Sequence, residues 1–393
     1  MRYGPLAFIL GVRPDVIRAS IILELLQASD CDLVFIWSGQ HYSDNLKDIF
    51  FRELNVRPPD IELGAAAETD ADTVAKLLAA LQHALEAVQP QAVVFLGDTN
   101  TVMGCLVAAQ LSIPIVHIEG CMRSYDWRMP EEKYRTTIDH LSDVIYAYLE
   151  EYREQGIHEG LNPTSIVVTG NPMVDVLQRH YFGRALYYER LRTQEFFRRR
   201  RIERGQYLLL TCHRRENVHD LGSLHRILGL AATSDRPVYF PASYRTQKAI
   251  AGYRLTVPPN FVVVDPVGYD EFLLLMTSAR GVLTDSGTVV EEACILQVPA
   301  VQLRRSTERP QVYDVGACVR FDPTDPIGSP FEATLQKLEQ LRGRQWANPF
   351  GDGTASQRIV EDTLRRLRGG GLDRHKPADY HLDISRAYRD DGL

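Results

Sequence analysis

The chain has 393 residues, enough for two or three domains at roughly 100–200 residues each. Hydrophobic residues make up 45% and charged residues 24%, which excludes disorder as the main state. Lys and Arg number 44 against 51 Asp and Glu, and the net charge of −7 argues against a nucleic-acid-binding protein.

Short runs of apolar, largely β-branched residues alternate with amphipathic stretches. The predicted strands of the first half are Leu6–Leu10, Leu33–Trp37, Ala92–Leu96, Ile115–Ile118, Val144–Ala147 and Ile166–Val168. Helices are predicted over Asp15–Ala28, Asp72–Val88 and Asn100–Leu111. After Asn171–Pro172 the pattern pauses. His180–Gly205 reads as a long polar helix or helical arm, with the arginine run Arg198–Arg201 on a solvated face. The alternation resumes with strands at Tyr207–Thr211, Val238–Pro241, Phe261–Val264, Val282–Thr284 and Ala300–Leu303, and a last helix at Thr354–Arg368. Such strands are covered on both faces of parallel sheets. The fold class is therefore α/β, with two Rossmann-like domains. The first spans 1–178 and is joined by the C-terminal helix at about 354–370, the second spans 179–353, and a tail occupies 371–393.

No apolar run approaches the roughly 18–20 residues of a bilayer span, so no membrane association is expected. The stretch Leu6–Val12 is too short and too soon interrupted for a secretion signal. Cys31, Cys105, Cys121, Cys212, Cys294 and Cys318 form no C-x-x-C pair, so free thiols in a reducing cytoplasm are expected and a metal site is not.

Ligands of open α/β sheets bind beyond the carboxyl ends of the strands, and chemistry-bearing residues follow those ends here. The first strand is followed by Gly11-Val12-Arg13-Pro14-Asp15, with Arg18 one turn into the helix. A tight turn and two cations near a helix start suit an anion, although an ordinary βα turn reads the same way. Gly97-Asp98-Thr99, His117-Ile118-Glu119-Gly120-Cys121 and Met129-Pro130-Glu131-Glu132 then place Asp98, Glu119 and Glu131 on one rim. Crowded carboxylates split their pKa values into acids and bases. Asp98 as an N-cap, or a rim of structural ion pairs, is the alternative.

In the second half, Thr211-Cys212-His213-Arg214-Arg215-Glu216-Asn217 follows a strand as a candidate anion site. Thr284-Asp285-Ser286-Gly287-Thr288 leads into a helix bearing Glu291 and Glu292, with Thr288 and Glu291 at capping-box spacing. Backbone amides of Ser286–Thr288 suit a diphosphate, and Glu292 suits ribose hydroxyls. Thr307-Glu308-Arg309-Pro310 adds a phosphate-directed arginine. Together these segments outline a nucleotide cleft between the halves.

In order and spacing, from about Gly11 to Arg309, the set G-x-R-P, G-D-T, H-x-E, R-M-P-E-E, H-R-R-E-N, D-S-G and T-E-R-P resembles the non-hydrolysing UDP-N-acetylglucosamine 2-epimerases and relatives acting on other UDP-2-acetamido sugars. The resemblance implies a glycosyltransferase-B-like fold closing on a UDP-sugar, without metal or nicotinamide, in a cytoplasmic homodimer. The implied reaction is interconversion of UDP-GlcNAc and UDP-ManNAc by elimination and re-addition of UDP. Its alternatives are a modified 6-deoxy or diamino sugar, a hydrolysing relative, or a glycosyltransferase. It implies catalytic roles for Asp98, Glu119, Glu131 and His213. UDP-sugar contacts fall to Arg13, Arg18, Ser286, Gly287, Thr288, Glu292 and Arg309, and Phe272 lies near the uracil.

This chain departs from the family pattern in places. Arg18 stands for a lysine, Glu119-Gly120-Cys121 for E-A-G, Thr288 for the second glycine of D-S-G-G, Val267 for a glutamine and Tyr134 for an asparagine. Gln40-His41-Tyr42-Ser43-Asp44 and Pro241-Ala242-Ser243 depart from the segments that hold a second, activating UDP-GlcNAc in many bacterial members. Turnover without such an activator is therefore expected.

Overall fold

A computed structural model describes residues 4–39, 51–325, 327, 330–369 and 372. Thirteen strands among them form two wholly parallel sheets. The first contains β1 (Leu6–Leu10), β2 (Leu33–Trp37), β3 (Ile61–Glu62), β4 (Ala92–Leu96), β5 (Ile115–Ile118), β6 (Val144–Ala147) and β7 (Ile166–Val168), in the order β3-β2-β1-β4-β5-β6-β7. The second contains β8 (Leu208–Thr211), β9 (Val238–Pro241), β10 (Phe261–Val264), β11 (Gly281–Thr284), β12 (Ala300–Leu303) and β13 (Cys318–Phe321), in the order β10-β9-β8-β11-β12-β13. Both orders reverse beside their first strand, so each sheet has a switch point, between β1 and β4 and between β8 and β11. The two domains meet where Glu119 of the first pairs with Arg309 of the second and Glu53 of the first accepts the Tyr269 amide of the second, in keeping with the two-domain α/β fold expected.

Burial explains why the strands form where they do. Every residue of β1 and β4 is buried, as are those of β8, β11 and β12, because helices cover both sheet faces. The helix Ala355–Gly369 returns to the first domain. Asp175 accepts the amides of Ala355 and Ser356 there, and Tyr146 Oη donates to Asp362 at 3.0 Å.

The structure corrects several element boundaries. Two strands not predicted, the two-residue β3 and the four-residue β13, extend the sheets at their edges. Asn100–Leu111 is a 3₁₀ turn, Asn100–Gly104, continued by the helix Cys105–Gln110. The arm over His180–Gly205 is a chain of short pieces rather than one long helix: Phe182–Arg184, Ala185–Leu191 and Gln194–Arg199. Thr193 starts the last piece by accepting the Phe196 amide, so the chain is re-capped rather than continued. Its arginine run is largely paired, Arg198 and Arg199 with Glu195 and Arg200 with Glu271. The Gln40–Asp44 segment, and the tail apart from residue 372, lie outside the described residues.

Candidate active site

The first domain contributes one wall. At Gly11 a Cβ would collide with Thr101 Oγ1 and Ser38 Oγ, so only glycine lets the turn after β1 sit beneath the rim. The helix Arg13–Ala28 follows with a proline in its first turn. The Arg13 side chain lies outside the described residues. Arg18 is buried, donates to Asp15 at 2.9 Å and pairs with Glu119. Burial pushes the Asp15 carboxyl up to about 6, against the pull of Arg18.

Asp98 follows Gly97, whose φ of 82° is left-handed. It does not cap a helix: Thr99 occupies that position, and Asp98 pairs with Arg135. Burial raises its carboxyl, but Arg135 and Arg214 outweigh that and hold it below the usual carboxylate range. Glu119 is buried with a φ of 78°, a conformation costing a non-glycine residue about 1–3 kcal/mol. Its carboxylate bridges Arg18 of its own domain and Arg309 of the other, the latter at 2.6 Å. Glu131 opens the helix Pro130–Leu141. Burial raises its carboxyl, Arg214 opposes the rise and Asp98 adds to it.

The second domain contributes the facing wall. Asp285, fully buried after β11, accepts the amides of His213 and Arg214 and the Asn217 side chain. One carboxylate thus ties the loops at the switch point together. The His213 side chain is 48% exposed, with Nδ1 3.5 Å from Asp285. Partial desolvation foremost, then Arg214 and Arg245, hold its pKa below the usual imidazole value, while Asp285 opposes them.

Ser286 caps the helix Gly287–Ile295 by accepting the Val289 amide. The capping box expected at Thr288 and Glu291 is therefore absent: Thr288 is half-buried inside the helix, and Glu291 accepts from Arg309 at 2.5 Å. At Gly287 a Cβ would sit 2.6 Å from Arg309 Nη1, so glycine makes room for that guanidinium. Arg309 is buried among Glu119, Glu291 and Glu308. Glu292 is also buried, and desolvation pushes it up to about 8 against the Tyr269 hydroxyl. Phe272 is half-buried on the helix Tyr269–Ser278 and packs against the core. The start of that helix is capped from the other domain, where Glu53 accepts the Tyr269 amide at 2.6 Å.

Sequence reasoning singled out the carboxylates and Arg309 but missed what holds them. Arg135, four residues after Glu131, joins Asp98 to Glu132 at 3.0 Å and lies 3.9 Å from Glu308. Glu308 receives Arg304 at 2.9 Å and lies 3.7 Å from Arg214. Arginines from both domains, buried or nearly so, therefore alternate with carboxylates across the cleft. Glu132, Arg214 and Glu308 sit inside the quoted motifs and Arg135 and Arg304 just outside them, but sequence carries no side-chain direction.

A sequence profile of the family described as UDP-N-acetylglucosamine 2-epimerase matches residues 23–363. A UDP-N-acetylglucosamine 2-epimerase of Methanocaldococcus jannaschii is 36% identical over 366 residues, 90% of this chain and 97% of that protein. A UDP-2,3-diacetamido-2,3-dideoxy-D-glucuronate 2-epimerase of Pseudomonas aeruginosa is 31% identical over 361 residues, 90% and 97% of the two chains. The crystal structure of the M. jannaschii UDP-GlcNAc 2-epimerase in complex with UDP-GlcNAc and UDP matches with a TM-score of 0.83 at 34% identity, covering 92% of this chain and 99% of that one.

Proposed function

The chain belongs to the UDP-N-acetylglucosamine 2-epimerase family, and from that premise we propose that Asp98, Glu119, Glu131 and His213 carry its chemistry. The enzyme interconverts UDP-GlcNAc and UDP-ManNAc. Supporting the site reading is one observation above others: Glu119 of the first domain meets Arg309 of the second at 2.6 Å, so acid–base groups and anion-gripping groups share one cleft.

The sugar C2 proton has no flanking carbonyl to acidify it. Its removal becomes feasible when the C2–H electron pair forms a C1=C2 double bond as UDP leaves with the C1–O pair. A carboxylate takes the proton, and another group returns one to the opposite face while UDP re-adds at C1. Asp98, held ionised, suits the acceptor, and Glu131, with its raised pKa, suits the donor. Arg18, Arg309, His213 and the amides at Ser286, Gly287 and Thr288 stabilise the departing diphosphate. Arg13 joins them on the strength of the family resemblance, as does Phe272 beside the uracil. Glu292 accepts from the ribose. Closure of the cleft keeps water from the alkene.

The domains run 1–178 and 179–353, with the helix Ala355–Gly369 completing the first. The resemblance also supports a homodimer, and the six free cysteines support a cytoplasmic location. Ser243, where the family places a histidine, caps the helix Tyr244–Gly252, and Arg215 pairs with Asp70, which supports turnover without a second UDP-GlcNAc.

NMR of UDP-GlcNAc incubated with enzyme in D2O tests the reading. The expected result is deuterium at C2, a growing UDP-ManNAc signal and no accumulation of free UDP. Accumulation of free ManNAc and UDP would instead establish hydrolysis. A second reading, epimerisation of a UDP-2,3-diacetamido sugar, is favoured by the 31% identical relative and by Thr288. The same assay with that sugar decides it by the ratio of kcat/KM values.

A further inference from the structure

We propose that His117 and Asp139, which lie beneath the site, are positioning residues that hold the catalytic carboxylates in one frame. The inference deepens the epimerase reading and rests on it for its kinetic arm. His117 lies on β5 in the middle of the first sheet and is fully buried. Its Nε2 is 2.8 Å from the Gly97 carbonyl, the peptide oxygen immediately before Asp98. Its Nδ1 is 2.7 Å from Asp139 Oδ1. The second oxygen of Asp139 accepts the Cys121 amide at 3.0 Å and Arg123 Nη1 at 2.7 Å. Arg123 continues to Glu159 at 2.7 Å.

These bonds reach each catalytic loop without touching the cleft. The imidazole fixes the turn that presents Asp98. Asp139 fixes the backbone just past Glu119, where Glu119 and Cys121 both hold left-handed φ values, of 78° and 63°. Asp139 and Glu131 ride on the same helix, Pro130–Leu141, and Glu132 of that helix accepts the amides of Ser124 and Tyr125. Asp98, Glu119 and Glu131 are thereby keyed to a single strand–helix pair.

The hydrogen bonds also fix the orientation of the ring. A peptide carbonyl only accepts, and Asp139 accepts from three groups, with its carboxyl held below the usual range by His117 and Arg123 against burial. The ring is therefore pinned at both nitrogens, between the Gly97 carbonyl and the Asp139 carboxylate. An aliphatic residue of similar volume would fill the space but leave that carboxylate without the pair.

Two measurements test this. Amide hydrogen exchange at Gly97 and Cys121, the two backbone points the pair holds, is expected to be at least about 10-fold faster in His117→Gln and Asp139→Asn than in the wild type. Wild-type exchange at both amides in these variants overturns the proposal whether or not the enzyme epimerises UDP-GlcNAc. In the kinetic arm, His117→Gln retains reach toward the Gly97 carbonyl and loses Asp139, and Asp139→Asn weakens the same link. Both are expected to lower kcat about 10–100-fold per UDP-binding site, with KM changed less than about threefold. Both are also expected to raise the ratio of UDP released to epimer formed, a ratio that loss of folded protein does not move. Arg123→Lys is the milder variant should the others not fold, with a smaller rise in the same ratio. Wild-type kcat and wild-type ratio in the folded variants overturn the proposal.

Discussion

Asp98 and Glu131 are carboxylates of one rim that their surroundings push in opposite directions. Arg135 and Arg214 lower the first, and burial raises the second. A charge-neutral isostere removes proton transfer while leaving the arginines and amides that grip diphosphate. Asp98→Asn, Glu119→Gln and Glu131→Gln should each lower kcat by about 10²–10⁴-fold, with UDP affinity by calorimetry nearly retained. Glu119→Gln is expected to weaken UDP binding least, because Glu119 already competes for Arg18 and Arg309. Glu292 poses a different question. Its folded-state pKa of about 8 exceeds the ordinary glutamate value of 4.5, so the folded state binds the proton more tightly than the unfolded chain. Stability is then lost as pH rises from about 4.5 toward 8, by an amount on the order of a few kcal/mol. Glu292→Gln keeps the neutral shape, so it should melt near wild type at about pH 5 and above it at about pH 8. Melting curves at the two values check the sign, and a rise in KM would separately report its ribose contact.

At the scale of elements, the start of the helix Gly287–Ile295 shows how closely backbone and site are fitted. Alanine at 287 would ordinarily favour the helix by up to about 1 kcal/mol. Here its Cβ would sit 2.6 Å from Arg309 Nη1 and 2.9 Å from Cζ, while Glu119, Glu291 and Glu308 hold that guanidinium in place. The arginine must move. Gly287→Ala should therefore melt within a few degrees of wild type yet bind UDP roughly 10-fold more weakly, about 1.4 kcal/mol by calorimetry. The strands were legible because continuous apolar runs such as Ala92–Leu96 have one explanation, burial on both faces. Ile61–Glu62 was not, since two edge residues carry no periodicity. The arm was misread because its polarity said solvated helix, whereas its breaks follow from the Thr193 cap and from Arg184 reaching Asp270 at 2.9 Å. Thr288 and Glu291 had the spacing of a capping box, but Ser286 lay one residue before the helix and Arg309 claimed Glu291.

Across the whole molecule, the site is a property of neither domain alone. Sequence order could bring Glu119 and Arg309 to the ends of their strands, but they are 190 positions apart, and only packing shows that they meet. The same packing makes Arg309 both a diphosphate ligand and a structural counterion, and these roles separate by pH. Replacing it with methionine keeps volume but removes the charge from among Glu119, Glu291 and Glu308. Leaving buried carboxylates short of a partner costs about 3–5 kcal/mol at neutral pH. Those carboxyls would then have raised folded-state pKa values, so the folded variant would bind more protons than its unfolded chain. Its stability should recover as pH falls toward about 5. In the wild type Glu308 is held well below its ordinary value, Arg304 and Arg309 outweighing burial, so acid does not return stability at that residue. Arg309→Met should accordingly show its largest melting deficit at about pH 8 and a smaller one at about pH 5. UDP at a hundredfold excess over the wild-type Kd stabilises the wild type by about 2.7 kcal/mol and should stabilise the variant by much less. Equal deficits at both pH values, with equal stabilisation by UDP, would show that Arg309 neither balances those carboxylates nor grips the nucleotide.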